Sequence, residues 1–209
     1  MEPSQFPFQE DLFSHAQQTN ASGPVFDEST SWSIGCFRFC KGLVTGDFDQ
    51  DGNVDVFGVY NFNGDRVSFN EGDGTKTCVS LLHYDERPGS TAVADYDRDG
   101  DLDLFVAGIE DGVMKVFWYM NNGSRTFEYN PGIEHPAYGL ALGDLNGDLY
   151  PDIVAGGRGS WSDSAIYLND QQGGFALAQE LPVDTEPWTV ELADVDGDDD
   201  LDCAIGSEL

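Results

Sequence analysis

Four nine-residue loops with aspartate at alternating positions constrain this chain more than any other feature. They read DFDQDGNVD, DYDRDGDLD, DLNGDLYPD and DVDGDDDLD, and begin at Asp47, Asp95, Asp144 and Asp194. Their first residues are 48, 49 and 50 positions apart. Carboxylates this close together repel one another unless a cation neutralises them. An oxygen-only cluster on a tight turn predicts a hard cation, and Ca²⁺ fits best.

We refer to these segments as loops 1 to 4 and number their positions from one to nine. Positions one, three, five and nine would supply side-chain oxygens, because alternate residues of a curled segment can point to one centre. Position seven would add its backbone carbonyl, and water would complete the six to eight ligands that Ca²⁺ accepts. The predicted ligands for up to four ions are Asp47, Asp49, Asp51, Asn53 and Asp55; Asp95, Asp97, Asp99, Asp101 and Asp103; Asp144, Asn146, Asp148, Tyr150 and Asp152; Asp194, Asp196, Asp198, Asp200 and Asp202.

The loops differ in where glycine stands. Loops 1 and 2 have glycine at position six, whereas loops 3 and 4 have it at position four, with Leu149 and Asp199 at position six. We therefore predict that loops 3 and 4 turn differently from loops 1 and 2. An EF-hand is excluded, because it needs a bidentate Glu at position twelve and flanking helices. Position twelve is occupied by Gly58, Val106, Ala155 and Ile205.

The overall charge limits the partners this chain can have. The 209 residues carry a formal net charge of −30, and four Ca²⁺ ions would leave about −22. That balance disfavours nucleic acid and anionic membrane surfaces. A run of ~18 apolar residues is absent, so we expect no membrane insertion in this segment. The first residues lack a secretory signal pattern, so the chain is either not secreted or a piece of a longer one.

Cysteine usage is weak evidence on the compartment in which the protein works. Four cysteines allow three complete pairings, and the sequence does not choose among them. Cys36 and Cys40 could pair locally within CFRFC, and Cys203, in an apolar run, is predicted to be a buried free thiol.

The spacing of about 49 residues is typical of a four-stranded antiparallel propeller blade. Each unit has an apolar strand, an Asp loop, a second strand, a third strand that ends in Asn, and a closing strand. We therefore predict an all-β fold, a β-propeller of about four repeats. The predicted divisions are an N-terminal tail at 1–12, a partial blade at 13–38, blades at 39–86, 87–134 and 135–185, and a partial blade at 186–209.

The two partial units leave two interpretations open. The ends could join into one shared blade that closes a ring of four, or both could be cut from a longer propeller. We favour the longer propeller, because the sequence stops at GSEL directly after a predicted strand with no polar cap, and cut propeller ends expose strand edges unless they are covered.

Three elements carry a resemblance to a known family. They are the D-x-[DN]-x-D-x-x-x-D loops, the apolar-Gly strands VFGVY, LFVAG and IVAGG, and the hairpin motif from Asn121 to Phe127. Over about residues 13–207 the chain resembles FG-GAP/VCBS repeat proteins, the repeat of the integrin α-subunit propeller. The resemblance implies a seven-bladed propeller with Ca²⁺ between the first two strands of a blade. It also implies an extracellular or cell-surface setting, with which the glycosylation sequons at Asn20 and Asn122 are compatible.

These observations favour a non-enzymatic, calcium-stabilised recognition or adhesion module whose partner is a protein or a glycan. The alternative is a carbohydrate-binding lectin or a polysaccharide-active enzyme on the same propeller. An enzyme needs a convergent set of reactive groups, yet His15, His83 and His135 do not recur with the repeat. For a lectin, Trp161 is the best exposed stacking candidate, whereas Trp118 is predicted to pack in a strand. A free-standing calcium buffer is disfavoured, because buffers rarely need such long β units.

Overall fold

The computed structural model describes residues 40–60, 64–81, 87–157, 164–182 and 186–208. These residues form fourteen β-strands. The strands are β1 Cys40–Gly46, β2 Asp55–Tyr60, β3 Asp65–Asn70, β4 Lys76–Leu81, β5 Arg87–Ala94, β6 Asp103–Glu110, β7 Val113–Asn121, β8 Phe127–Ile133, β9 Ala137–Gly143, β10 Asp152–Gly157, β11 Ser164–Asn169, β12 Phe175–Leu181, β13 Glu186–Ala193 and β14 Asp202–Glu208.

Consecutive strands pair in chain order, so that the described strands form separate antiparallel sheets. Strands β1 to β4, β5 to β8 and β9 to β12 each make a four-stranded sheet, and β13 pairs with β14. We call these sheets blades 1 to 4. The first strand of each blade contacts the first strand of the next, β1 with β5, β5 with β9 and β9 with β13. This arrangement confirms the predicted all-β propeller.

Every Asp loop closes a hairpin in the same register. The residue before position one pairs with position nine: Gly46 with Asp55, Ala94 with Asp103, Gly143 with Asp152 and Ala193 with Asp202. A shift by one residue would turn every side chain of the strand to the other face. The shared register therefore puts equivalent loop residues in equivalent places in all four blades.

The second strands of blades 1 to 3 are buried along nearly their whole length, because both of their faces are covered. In β6, Leu104 and Val106 pack with residues of blade 1 such as Phe57, whereas Phe105 and Ala107 pack with residues of blade 3. A strand buried on both faces reads as a continuous hydrophobic run rather than an alternating one. The core is thus a series of layers between neighbouring blades.

Aromatic side chains dominate the layer between blades 2 and 3. The ring of Trp118 stacks on Phe105 with centroids 5.5 Å apart and meets the edge of Phe175 at 5.4 Å. Trp118 is 2% exposed, which confirms its predicted packing role. Aromatic pairs of this kind add about 0.5–1.5 kcal/mol beyond the area they bury.

One prediction about the strands is wrong. The thiol of Cys203 in β14 is exposed rather than buried. The apolar run that suggested burial lies in blade 4, where β14 pairs on one side with β13 and no further strand lies beside it among the described residues. Cys36 lies outside the described residues, and with it the proposed pairing to Cys40.

Candidate metal centres

All four Asp loops share one backbone conformation. Positions four and six are left-handed in each, with φ of 58° and 89° at Gln50 and Gly52 in loop 1 and 77° and 73° at Gly147 and Leu149 in loop 3. Loops 2 and 4 repeat the pattern. The prediction that loops 3 and 4 turn differently is therefore wrong. The turn needs two left-handed residues, and glycine occupies one or the other without changing the path.

Short hydrogen bonds from backbone N–H groups to aspartate carboxylates hold this turn. The position-one carboxylate accepts the N–H of position six in every loop, at 2.9 Å from Gly52 to Asp47 and 2.8 Å from Leu149 to Asp144. The position-five carboxylate accepts the N–H of position seven, as from Asn53 to Asp51 at 2.8 Å. Such Asx turns are the local reason why aspartate recurs at alternate positions.

Position nine has a different environment from the other predicted ligands. Asp55, Asp103 and Asp152 are 0%, 1% and 0% exposed. In Asp103, Oδ2 accepts the N–H of Tyr96 at 3.0 Å, and Oδ1 accepts the N–H of Asn121 at 2.8 Å. The same pair of bonds recurs at Asp55 and at Asp152. This aspartate thus ties the loop to the third strand, whether or not it also contacts a metal.

The carboxylates of three loops converge in space. In each of three sets, one carboxylate oxygen from each residue lies within 4.8 Å of the others: Asp47, Asp49 and Asp55; Asp95, Asp97 and Asp99; Asp194, Asp196 and Asp202. In loop 3 the amide of Asn146 replaces one carboxylate and donates to Asp148 at 3.0 Å. Position five of loops 1 and 4, Asp51 and Asp198, lies outside these tightest sets, as does position nine of loop 2.

The donor set fits a hard cation. It consists of oxygens alone, which suits Ca²⁺ or Mg²⁺ and disfavours the softer metals. In loop 2, Oδ1 of Asp95 is buried and accepts no hydrogen bond among the described residues. A buried oxygen without a donor is unfavourable, and a cation would satisfy it. The predicted position-seven ligands Asn53, Asp101, Tyr150 and Asp200 each donate their N–H to the position-five carboxylate of their own loop.

The pKa values of several loop aspartates are raised in the absence of a cation. Burial raises the pKa of Asp103 to about 7, against the N–H groups of Asn121 and Tyr96, which lower it. Burial is also the main cause of the raised pKa of Asp55, Asp97 and Asp152, with neighbouring aspartates adding to it. A bound cation would favour the charged forms and reverse these shifts.

The third-strand asparagine connects neighbouring blades. Nδ2 of Asn121 donates to the carbonyl of Phe48 at 2.8 Å, and Nδ2 of Asn169 donates to the carbonyl of Tyr96 at 2.9 Å. Both acceptors are position two of the loop in the preceding blade. Sequence reasoning recognised these asparagines as hairpin residues and missed this role. The sequence signal available for this role was that these asparagines stand at the same position relative to the turn that follows the third strand.

An arginine also crosses from blade 2 to blade 1. Nε of Arg125 donates to Oδ2 of Asp49 at 2.6 Å, and its terminal nitrogens contact the carboxylate of Glu71 at 2.6 and 3.1 Å. Its guanidinium lies 4.7 Å from the ring centroid of Phe69. These contacts raise the pKa of Arg125, chiefly through Glu71. Loop 1 is thus partly neutralised from the next blade.

A comparison with known protein families agrees with this geometry. The FG-GAP-like repeat profile matches residues 47–106, 95–155 and 144–205. The chain belongs to the FG-GAP-like repeat family. Each match begins at position one of one Asp loop and ends within the second strand of the next blade, so the FG-GAP-like unit includes two loops and the interface between them.

Membership of the FG-GAP-like repeat family indicates a propeller-type recognition module, and the family is generally non-enzymatic. None of the curated proteins matches the chain. No helix long and apolar enough to cross a membrane occurs among the residues that the structure describes.

Proposed function

We propose that this chain is a calcium-binding, non-enzymatic module for extracellular recognition or adhesion, with a structural Ca²⁺ in each of four Asp loops. The observation that carries the proposal is the convergence of three carboxylates within 4.8 Å in loops 1, 2 and 4. A divalent cation would turn this repulsion into attraction. The all-oxygen donors and the flexible ligand number favour Ca²⁺ over Mg²⁺, which demands a stricter octahedron.

The role of the ion would be structural. Positions one and three would hold it, joined by position nine in loops 1 and 4 and by position five in loop 2, with the carbonyl of position seven. In blades 1 to 3, position nine would also anchor the loop to the third strand. When bound, the ion supplies positive charge that stabilises the hairpin. The blade residues would then present a rigid surface to a protein or glycan partner.

An extracellular setting is part of this proposal, because even weak Ca²⁺ sites are filled where calcium is millimolar. Asn122, in the sequon Asn-Gly-Ser, is exposed in the hairpin between β7 and β8, where a glycan could be attached. The other sequon, at Asn20, lies outside the described residues.

Calorimetry with CaCl2 and thermal melts after chelation test the calcium proposal. Chelation should lower the melting temperature, and added Ca²⁺ should restore it, because a ligand that binds only the folded state stabilises it. Asp97→Asn should weaken binding to loop 2 on the order of tenfold, since affinity follows ligand charge. Asp111→Asn, in the exposed turn between β6 and β7, is the charge-matched control. An unchanged melt after complete chelation, with no heat of binding, would refute the proposal.

A second candidate function is glycan binding, and a cavity favours it. The cavity has a volume of about 430 Å³ and lies between the first strands of successive blades, with Lys41, Ser90, Tyr138 and Trp188 in its lining. Trp188 is 44% exposed and meets the ring of Tyr138 edge-on at 6.1 Å. An exposed indole beside hydroxyl and amine donors can stack on a sugar ring. Trp161, the earlier candidate for this role, lies outside the described residues.

A glycan array at saturating CaCl2 tests this second candidate. Binding that Trp188→Ala abolishes would support it. Leu177→Ala, at an exposed apolar side chain of β12 (54% exposed), should leave the signal unchanged. No signal with the folded, calcium-loaded chain, or one that Trp188→Ala preserves, would count against a glycan site in this cavity.

A further inference from the structure

Neighbouring Asp loops touch through their position-four side chains. Gln50, at position four of loop 1, extends its amide over loop 2. Its Nε2 donates to the carbonyl of Gly100 at 2.9 Å and to Oδ1 of Asp101 at 2.8 Å. These acceptors are positions six and seven of loop 2, the part of the turn from which a backbone ligand is expected. One loop thus holds the rim of the next.

An equivalent contact links loops 2 and 3, but it is a cation–π contact rather than a hydrogen bond. Arg98, at position four of loop 2, places its guanidinium 5.3 Å from the ring centroid of Tyr150, which is position seven of loop 3. A cation over an aromatic face is attractive. Position four of loop 3 is Gly147, which has no side chain, so this step cannot continue to loop 4.

A second set of contacts, made by buried asparagines, links the same loops. Asn121 donates its side-chain amide to the carbonyl of Phe48 in loop 1, while its own N–H is bound to Asp103 of loop 2. Asn169 makes the equivalent bridge between Tyr96 of loop 2 and Asp152 of loop 3. No equivalent asparagine bridges loops 3 and 4 among the residues that the structure describes. Loops 1, 2 and 3 are therefore linked twice, at the rim and in the interior.

We propose that Ca²⁺ binding to loops 1, 2 and 3 is positively cooperative through Gln50 and Arg98, and that loop 4 binds independently of loop 3. This rests on the proposed calcium function. An ion that orders one loop also orders its position-four side chain, which holds the rim of the next loop. The next ion then loses less conformational entropy, and this gives positive coupling without a large structural change. Repulsion between the ions acts in the opposite sense and is reduced at physiological salt, where the Debye length is about 8 Å.

The experiment follows each loop separately in the full chain. The position-six amides Gly52, Gly100, Leu149 and Asp199 all donate to the position-one carboxylate of their own loop, so their amide resonances report on that loop. CaCl2 is titrated at 0.15 M KCl into wild type, Gln50→Ala and Arg98→Ala. Gln50→Asn, a shorter amide that tolerates the left-handed backbone, covers the case that Gln50→Ala misfolds. Gln172→Ala is the control, because within the described part of the chain its exposed side-chain amide donates to no group other than the carbonyl of Asp170.

In wild type, the reporters of loops 1 to 3 should shift together with a Hill slope above one, and the loop 4 reporter should follow its own curve. Gln50→Ala should separate the midpoint of loop 1 from that of loop 2 by about fivefold, and Arg98→Ala should do the same for loops 2 and 3. Gln172→Ala should change nothing. If both variants keep the wild-type curves, or if all four loops titrate independently in wild type, the coupling is wrong while the calcium module stands. If no reporter shifts, both proposals fail.

Discussion

At the scale of single residues, each Asp loop contains one non-glycine residue in the left-handed region. These residues are Gln50, Arg98, Leu149 and Asp199, with φ of 58°, 63°, 73° and 72°. A side chain in this region costs about 1–2 kcal/mol relative to the right-handed region, and glycine avoids most of it. At positions 50 and 98 the side chain reaches the next loop. Leu149, in contrast, is 65% exposed and offers little burial in return.

Leu149→Gly should therefore raise the free energy of unfolding by about 0.5–1 kcal/mol, since it relieves the backbone cost and removes a mostly exposed side chain. Gly52→Ala is the opposite test at the same loop position. A methyl group there would meet no atom within 4 Å, so its cost, about 1 kcal/mol, would come from φ alone. Urea denaturation at saturating calcium measures both. A destabilised Leu149→Gly would show that this side chain has an unrecognised packing role.

A second residue-scale feature is the buried carboxyl of Asp65, at the start of β3. It is 0% exposed, and the hydroxyl of Tyr119 in blade 2 donates to its Oδ2 at 2.7 Å. Burial raises its pKa to about 7, although the Tyr119 hydroxyl and the N–H of Tyr60 act to lower it. Because the folded-state pKa is above the unfolded value of 3.8, the protonated form favours folding. This contribution is complete below about pH 4 and is lost as the pH rises through about 7.

Asp65→Asn should make stability less dependent on pH. At pH 4 it should match wild type, and at pH 8 it should be more stable, by at most about 4 kcal/mol. Urea melts of both proteins at several pH values, without calcium, provide the measurement. The difference between the two curves cancels the titration of the loop aspartates. Parallel curves for the two proteins would show that Asp65 does not titrate in this range.

At the scale of elements, the unit that recurs is the Asp-loop hairpin together with the asparagine that ends the third strand. Position nine of the loop accepts the N–H of that asparagine, and the asparagine amide bonds position eight of its own loop and position two of the preceding one. Both carbonyl acceptors of Asn121 would lack this donor if the amide were removed. The hairpin is therefore stabilised by the next blade as well as by its own strands.

Asn121→Ala should lower the free energy of unfolding by about 2–4 kcal/mol, because it leaves buried carbonyl groups without a donor. Asn70→Ala is the matched control at the equivalent position of blade 1. Its amide makes a longer bond, 3.4 Å, to the carbonyl of Val54 in its own blade. We expect about half the effect there or less. Equal losses for both variants, measured by urea denaturation, would argue that the cross-blade bond to Phe48 adds nothing.

At the scale of the whole molecule, charge is the dominant property. The net charge of −30 arises because the chain has 39 Asp and Glu and only nine Lys and Arg. Self-repulsion of this size destabilises a compact state, and salt screens it. Ion pairs such as that of Arg125 relieve it locally, at the interface of blades 1 and 2.

The calcium-free chain should therefore melt at a higher temperature as KCl is raised from 0.01 to 0.5 M, because the Debye length falls from about 30 Å to a few ångströms. The increase should be smaller at saturating calcium, since bound ions have already neutralised part of the charge. Thermal melts in KCl with and without CaCl2 check this. A melting temperature insensitive to salt without calcium would mean that carboxylate repulsion is not what the loops must overcome.

Local patterns determined the fold class and the loops. Asx turns and strand hydrophobicity depend on residues close together in the sequence, and the spacing of about 49 residues is itself a sequence pattern. All three can therefore be recognised from the sequence. Packing between strands and blades, by contrast, decided the other structural roles of the predicted ligand residues. In the sequence, position nine looks like the other aspartates, and only the structure shows that it is buried beneath the third strand in blades 1 to 3. Likewise, only the backbone angles show that glycine at position four or at position six gives the same turn. The contacts of Gln50, Asn121 and Arg125 join residues 50 to 76 positions apart. No short-range period encodes such contacts, because they exist only once whole blades pack against each other.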